Sequence, residues 1–189
     1  MQNTIPLFID ALKRGEERLT EKLGYTTSII FRTTLDDSNI TKITEIDHSN
    51  FRAELWGTKE NLVEKSRRNN FIILIVQLQG EPIAFLYGYD DELDPNCFFL
   101  DEVATRIEGK SVGKMLILLL LVYCYHLNYQ IITLYTEEQD EKGRRLREFY
   151  EHLGFTYTGI DAGMGISMKH KLDLPGLKKL YHRFMNSTT

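Results

Sequence analysis

The sequence predicts an α/β fold, a single domain in which a mixed β-sheet is flanked by α-helices, with an extra helix at the N-terminus. Its 189 residues suit one domain, which buries about 70% of its unfolded surface. Strand and helix patterns alternate along the second half of the chain. The run MLILLLLVYCY, residues 115–125, predicts a helix that other elements cover on every side. We expect one domain over residues 1–189, with a core over about residues 26–172.

The composition is that of an ordinary globular protein and excludes several classes. Hydrophobic residues make up 42% and charged residues 26%, which excludes disorder and coiled coil. A net charge of −4 argues against a nucleic-acid partner, because phosphate binding usually requires a basic excess. The longest apolar run is shorter than the roughly 20 residues that span a membrane, so we expect no membrane partner. Cys97 and Cys124 lie in apolar runs, which favours a reducing, cytoplasmic location without disulfides.

The first half of the chain predicts three helices, a strand and a β-hairpin. Helical spacing or helix-capping residues predict helices at residues 7–23, at 36–46 and from Thr58 onward. β-Branched or continuous apolar runs predict strands at residues Thr27–Arg32, 71–76 and 83–89. Gly24 is placed to end the first helix, and a turn at residues 79–82 joins the last two strands as a hairpin.

The second half alternates strands and helices, which predicts parallel as well as antiparallel pairing in one sheet. Strands are predicted at residues Cys97–Thr105, 130–136, around 155–159 and at Gly165–Lys171. Helices are predicted from near Val112, through residues 143–154, and at the C-terminal stripe of Leu177, Leu180, Tyr181 and Phe184. We expect the chemistry at the turn between the first of these strands and the helix that begins near Val112.

That turn reads Glu-Gly-Lys-Ser-Val-Gly over residues 108–113, and its small residues allow a ligand to approach the backbone closely. Unpaired amides at the start of a helix attract anions. A nucleotide P-loop, GxxxxGK[ST], would explain Gly109, Lys110 and Ser111, but Ala104 stands where its first glycine is required. No strand ending in an aspartate follows to hold magnesium.

The same turn resembles the cofactor-binding turn of the GCN5-related N-acetyltransferase (GNAT) family, Gln/Arg-x-x-Gly-x-Gly/Ala. Glu108, Ser111 and Gly113 occupy the three motif positions, so the first two depart from the pattern. Val103 precedes Gly113 at the family's spacing, and FYEHLGF at residues 149–155 resembles the family's lYeklGF segment. The resemblance covers residues 71–155 well and the earlier helices loosely.

The resemblance implies acetyl-CoA as a co-substrate and no metal. The pyrophosphate would bind the turn at Glu108, Gly109, Lys110, Ser111, Val112, Gly113 and Lys114. The pantetheine arm would lie beside the strand at Val103, Ala104 and Thr105, where its thioester meets backbone amides. Arg144 or Arg145 would reach a ribose phosphate.

The resemblance also assigns catalytic roles. Tyr150 matches the family's general acid, which protonates the departing thiolate. The candidate bases are Asp101 and Glu102, and strand alternation predicts that they face opposite sides of the sheet. Asp101 shares its parity with Val103 and Phe99 and is favoured, although a bulge would reverse that choice.

The sequence therefore predicts an acetyl-CoA-dependent N-acetyltransferase, a transferase that moves the acetyl group directly to a primary amine in a ternary complex. The acceptor is a small molecule, a protein N-terminus or a lysine, which enters between residues 47–58 and the loop 159–165. Two alternatives stay open: a non-catalytic CoA- or acyl-CoA-binding regulatory module, and a P-loop nucleotide enzyme. We expect a monomer or a homodimer.

Overall fold

The protein is described here from a computed structural model, which covers residues 5–50, 57–140, 142–161 and 163–185. Over these residues seven strands form one sheet in the order β1-β2-β3-β4-β5-β7-β6. The strands are β1 Thr27–Arg32, β2 Ile72–Leu78, β3 Glu81–Asp90, β4 Cys97–Thr105, β5 Ile131–Thr136, β6 Thr156–Asp161 and β7 Gly165–Lys171. The helices are α1 Phe8–Leu23, α2 Asp37–Asn50, α3 Lys59–Lys65, α4 Val112–His126, α5 Leu146–Glu151 and α6 Leu174–Met185. The predicted fold class, with its extra N-terminal helix, is confirmed.

Helix α4 lies at the centre of the larger hydrophobic core. Residues 116–122 are each 0% exposed, because one face of α4 packs on β3 and β4 while α1 and α6 cover the rest. Helices α2 and α3 cover the opposite face of the sheet, where a second core forms around Ile43, Phe85 and Tyr87. Among the described residues no helix combines the length and the apolar character needed to cross a membrane.

One predicted helix is much shorter in the structure. The pattern predicts a helix through residues 143–154, whereas α5 occupies only Leu146–Glu151. Gly143 has a φ of 73°, and its amide donates to the Asp140 carbonyl at 2.9 Å, which forms a turn instead of a helical start. Residues 143–145 therefore belong to the loop that precedes α5.

Strands β4 and β5 are the parallel neighbours of the sheet, and they separate early. Their pairs are Cys97 with Ile131, Phe98 with Ile132 and Phe99 with Thr133. Beyond Phe99 the described residues of β4 have no ladder with β5, although β4 continues to Thr105 and β5 to Thr136. The C-terminal half of β4 consequently presents an unpaired backbone edge to the gap.

A β-bulge interrupts β4 opposite Gly88. Tyr87 pairs with Glu102, whereas Gly88 pairs with Leu100, so Asp101 is the extra residue. The Tyr89 hydroxyl donates to Asp101 Oδ2 at 2.8 Å, and the Tyr87 hydroxyl donates to Glu102 Oε2 at 2.6 Å. Both carboxylates thus lie on the α2 side of the sheet. The prediction that they face opposite sides is wrong, because the bulge restarts the alternation.

The same bulge determines the face of the sheet on which Val103 lies. It packs against the core that contains α4, on the face away from the two carboxylates. The prediction that Asp101 and Val103 lie on the same face of the strand is therefore also wrong. Alternation along the strand consequently gives no reason to favour Asp101 as the base.

We expect Gly88→Ala to destabilise the protein by about 2 kcal/mol or more, because overpacking a rigid core is costly. A Cβ at Gly88 would lie 2.3 Å from the Phe99 carbonyl oxygen and 2.5 Å from Phe98 Cε1. Urea unfolding measures the effect. Gly113→Ala is the matched control, because its added methyl meets nothing closer than Phe149 Cζ at 3.8 Å. Equal stability of the two variants would contradict the close packing at the bulge.

Candidate functional site

A cavity of about 640 Å³ opens where β4 and β5 separate. Its volume is in the range of small-molecule and cofactor sites. Every predicted site residue except Lys110 lines it: Asp101, Glu102, Val103, Ala104, Thr105, Glu108, Gly109, Ser111, Val112, Gly113, Lys114, Arg144 and Tyr150. Arg145 lines it too, while Lys110 is exposed outside its wall. The fold thus brings the strand, the turn and α5 together around one space.

The turn into α4 has the geometry of an anion site. The first intrahelical bond runs from the Met115 amide to the Ser111 carbonyl at 2.9 Å, so the amides of residues 112–114 precede the hydrogen-bonded ladder. The first turn of α4 contains no acidic residue. These amides and the helix dipole favour a bound phosphate.

Ser111, which stands where the family motif has glycine, has a backbone conformation that favours glycine. Its φ of 65° and ψ of 17° are left-handed, a conformation that glycine adopts without strain. The serine therefore retains the conformation that glycine provides at this position and adds a hydroxyl.

The Ser111 hydroxyl connects the turn to the N-terminal helix. Lys22 of α1 donates from Nζ to Ser111 Oγ at 3.2 Å. Burial, followed by the charges of Arg18 and Lys114, lowers the pKa of Lys22. These three cations repel one another, and a bound anion would relieve that repulsion. Lys22 is not predictable from the sequence as a site residue, because it lies 89 positions from Ser111 and no local pattern connects them.

Glu108 anchors the cationic rim of the cavity. Its Oε1 lies 2.9 Å from Lys142 Nζ and 2.9 Å from Arg144 Nη1. The hydrogen bond from Lys142 and the charge of Arg144 lower the pKa of this carboxyl. Arg144 also pairs with Asp140, so two carboxylates hold its guanidinium at the rim. Arg145 pairs instead with Glu148 at 2.6 Å.

A polar network lies at the inner end of the cavity, around the bulge. Lys65 Nζ lies 2.8 Å from Asp101 Oδ2 and donates to the Tyr87 hydroxyl at 3.3 Å. Tyr87 in turn donates to Glu102, as described above. Asp101 is consequently an ion-paired carboxylate, whereas the nearest donor to Glu102 is a neutral phenol. Sequence analysis missed Lys65 and Tyr87, because they come from α3 and β3 and meet β4 only in the folded sheet.

Glu102 is the carboxyl with a pKa near neutrality. Burial raises its pKa to about 8, and the negative charge of Asp47 acts in the same direction. The hydrogen bond from Tyr87 and the charge of Lys65 oppose this change. Glu102 is therefore able to exchange a proton close to physiological pH.

Tyr150 lies across the cavity on α5. The residue is only 9% exposed and packs edge-on against Phe149 and Phe155, with ring centroids 5.1 and 5.6 Å away. Burial raises the pKa of its phenol, so the group stays protonated and able to donate.

The predicted acceptor entrance is partly described. Asp47, 4% exposed, and Met164 line the cavity from its two predicted sides. Residues 51–56 of the predicted segment 47–58, and residue 162 of the loop 159–165, lie outside the described residues. Among the residues that are described, no group of His, Cys, Asp and Glu side chains is arranged to hold a metal ion.

Comparison with known proteins identifies one matching family model and several solved structures with a similar fold. The model of the acetyltransferase (GNAT) family matches residues 40–155. None of the curated proteins matches the sequence.

Several solved structures share the fold. The PaiA N-acetyltransferase from Thermoplasma acidophilum, in complex with coenzyme A, has 19% identity and a TM-score of 0.61, over 76% of this chain and 99% of that chain. The ribosomal-protein-S18-alanine N-acetyltransferase from Escherichia coli has 12% identity and a TM-score of 0.62, over 78% of this chain and 94% of that chain. An aminoglycoside 6′-acetyltransferase type Ii has 18% identity and a TM-score of 0.61, over 76% and 97%.

We expect Glu102→Gln to stabilise the protein more at about pH 9 than at about pH 5. The carboxyl has an ordinary pKa of 4.5 when unfolded and a pKa of about 8 when folded. Between these values the folded state holds a proton that the unfolded chain releases, so wild-type stability falls as pH rises through this window. Glutamine does not ionise, so the variant does not lose this stability as pH rises, and its advantage over the wild type grows with pH.

Thermal unfolding of both proteins across this pH range measures the difference in Tm. Glu45→Gln is the matched control, because it removes a carboxylate from the same side of the sheet at an exposed position. A Glu102→Gln advantage that does not grow with pH would contradict the raised pKa.

Proposed function

The chain belongs to the acetyltransferase (GNAT) family, and from this premise we propose that it is an acetyl-CoA-dependent N-acetyltransferase that acts on a primary amine. The observation that carries the proposal is the content of one cavity. An anion-binding helix start, a proton-accepting carboxyl at Glu102 and a proton-donating phenol at Tyr150 all line the same space. Acyl transfer to an amine requires these three functions.

The described residues fit the co-substrate. The amides at the start of α4, with Lys22 and Lys114, suit a pyrophosphate, and Arg144 at the rim suits a further phosphate. The unpaired edge of β4 from Val103 to Thr105 offers backbone groups to an extended amide-containing arm. Bound there, acetyl-CoA supplies the reactive thioester.

Direct transfer forms a C–N bond and breaks the C–S bond, and two protons must move. An alkylammonium has a pKa near 10.4, so the amine must lose a proton before it attacks. Glu102 accepts this proton as its carboxylate, and Tyr150 donates a proton to the departing thiolate. Asp101, which is bound to Lys65, holds that lysine beside Tyr87 and is the weaker candidate for the base.

The acceptor is an amine that arrives as a cation. Among the described residues, the acceptor end is lined by three carboxyl groups, Asp47, Asp101 and Glu102, and by one ammonium, from Lys65, so its net charge stays negative even while Glu102 is protonated. This balance attracts ammonium groups. Either a small molecule or a protein N-terminus or lysine meets this requirement.

We expect saturable binding of acetyl-CoA and CoA, and no binding of Mg-ATP, in calorimetric titrations of the purified protein. Lys22→Ala should weaken acetyl-CoA binding about tenfold, because the turn loses a positive charge that lies beside Ser111 and would attract the pyrophosphate. Lys110→Ala is the matched control, because Lys110 belongs to the same turn but is exposed, whereas Lys22 is bound to Ser111 in the cavity wall. Binding of Mg-ATP alone would revive the P-loop alternative.

We expect kcat/KM for an amine acceptor to rise with pH until the base is ionised, with a midpoint near the Glu102 pKa of about 8. Glu102→Gln should lower kcat/KM by at least about 100-fold and remove this limb of the profile. Asp101→Asn should retain the limb. If Asp101→Asn removes it and Glu102→Gln does not, the two assignments must be exchanged.

We expect Tyr150→Phe to lower kcat about 100-fold while the acetyl-CoA Kd changes little, because only the proton donor is removed. Tyr135→Phe, at a partly exposed position on the same cavity, is the control. Acetyl-CoA binding without turnover for any amine, in the wild-type protein, would favour the regulatory CoA-binding module instead.

A further inference from the structure

The two carboxyl oxygens of Glu102 have different surroundings. Oε2 accepts the hydrogen bond from the Tyr87 hydroxyl at 2.6 Å. Oε1 is buried and has no hydrogen-bond partner among the described residues. A buried oxygen without a partner is costly, so the structure requires a group that satisfies Oε1.

Asp47 is placed to provide that group. It lies in the last half of α2, is 4% exposed, and lines the cavity together with Glu102. Its Oδ2 accepts a hydrogen bond from the Gly57 amide at 2.8 Å, which fixes the carboxyl. Asp47 contributes a negative charge and a hydrogen-bonding contact to the surroundings of Glu102, and both raise the pKa of Glu102. Two carboxylates do not hydrogen-bond to each other unless one of them carries a proton.

We infer that Asp47 is a positioning residue for Glu102, and that the two carboxyl groups share one proton, held between Glu102 Oε1 and Asp47. This inference rests on the proposed function for its catalytic meaning, but the shared proton itself requires no reaction. Two buried carboxyl groups in contact do not both ionise easily, so the first ionisation leaves one negative charge on the pair.

The other charged and titratable groups around Glu102 do not replace Asp47. Lys65 of α3 is held by Asp101, and Tyr89 of β3 also donates to Asp101. Burial, with the charges of Glu102 and Asp101, raises the pKa of Tyr87, which therefore stays a donor. Among the described residues, Asp47 is the carboxyl whose negative charge raises the pKa of Glu102.

The pairing has a consequence for catalysis. Loss of the shared proton places two negative charges side by side, which makes Glu102 a stronger base than an isolated carboxylate. Asp47 thereby sets the pH at which Glu102 begins to accept protons from an amine. The pair titrates as a unit, so its midpoints belong to both residues.

The test follows the side-chain carboxyl carbons by NMR in protein labelled with ¹³C-glutamate, without co-substrate. Glu102 is assigned by the signal that disappears in Glu102→Gln. In Asp47→Asn, we expect its midpoint to move down by at least about one pH unit, because a neighbouring negative charge is lost. Asparagine still offers an oxygen to the Gly57 amide. Glu45→Gln should leave the midpoint unchanged, and an unmoved midpoint in Asp47→Asn would overturn the inference.

A reciprocal measurement remains informative if Asp47→Asn fails to fold. In protein labelled with ¹³C-aspartate, the Asp47 signal should show a step at the Glu102 midpoint, and Glu102→Gln should abolish that step. A missing step in the wild type overturns the shared proton.

Turnover separates this inference from the proposed function. If the protein acetylates amines, the kcat/KM profile of Asp47→Asn should shift by the same amount as the NMR midpoint. If no amine is acetylated but the NMR shift is present, the shared proton stands and the proposed function fails.

Discussion

The separation of β4 from β5 after three parallel pairs is the constraint on which the rest of the site depends. It leaves the second half of β4 with unsatisfied backbone groups along one edge, inside the protein rather than at the rim of the sheet. Such an edge is tolerated where it lines a cavity that a polar ligand or water can fill. The same separation places the turn into α4 opposite the start of α5, so the anion site and Tyr150 face each other across the gap. A fully paired sheet would close this space.

The bulge opposite Gly88 supplies the second part of the arrangement. A regular strand would direct Asp101 and Glu102 to opposite faces, and one of them would point into the core around α4. With the extra residue, both reach the α2 side, where each meets a tyrosine of β3. Their environments then differ, because Asp101 forms an ion pair with Lys65, whereas Glu102 accepts a hydrogen bond from the neutral phenol of Tyr87 and lies near a second acid. Two adjacent residues of the same chemical class thus acquire different acidities from their surroundings.

The sequence predicts most of the elements and the contiguous part of the site, for a physical reason. Helical and strand periodicities are local, so α1, β1 and β4 are found at or within one residue of their predicted bounds. The turn at residues 108–113 is likewise one short segment, and its small residues indicate a ligand-binding role.

The contacts between Lys22 and Ser111 and between Asp47 and Glu102 join distant segments, and no local pattern encodes them. The sequence allows a bulge in β4 but does not locate it, because an extra residue in a run of strand-forming side chains does not change the composition of the strand. The shortened α5 depends on the left-handed conformation of Gly143, which composition alone does not fix.

The burial of α4 on every side also fixes the backbone amides at its N-terminal end. Residues 116–122 have no contact with solvent, so substitutions there must conserve volume and apolar character. The amides that α4 presents to the cavity are therefore inherited with the core, whatever side chains surround them. The side chains of Glu108 and Ser111 instead make ion pairs at the rim and one hydroxyl contact, which can change without disturbing the core. The anion site is thus defined by the backbone at the start of α4, and a change of side chain at residue 108 or 111 leaves that backbone in place.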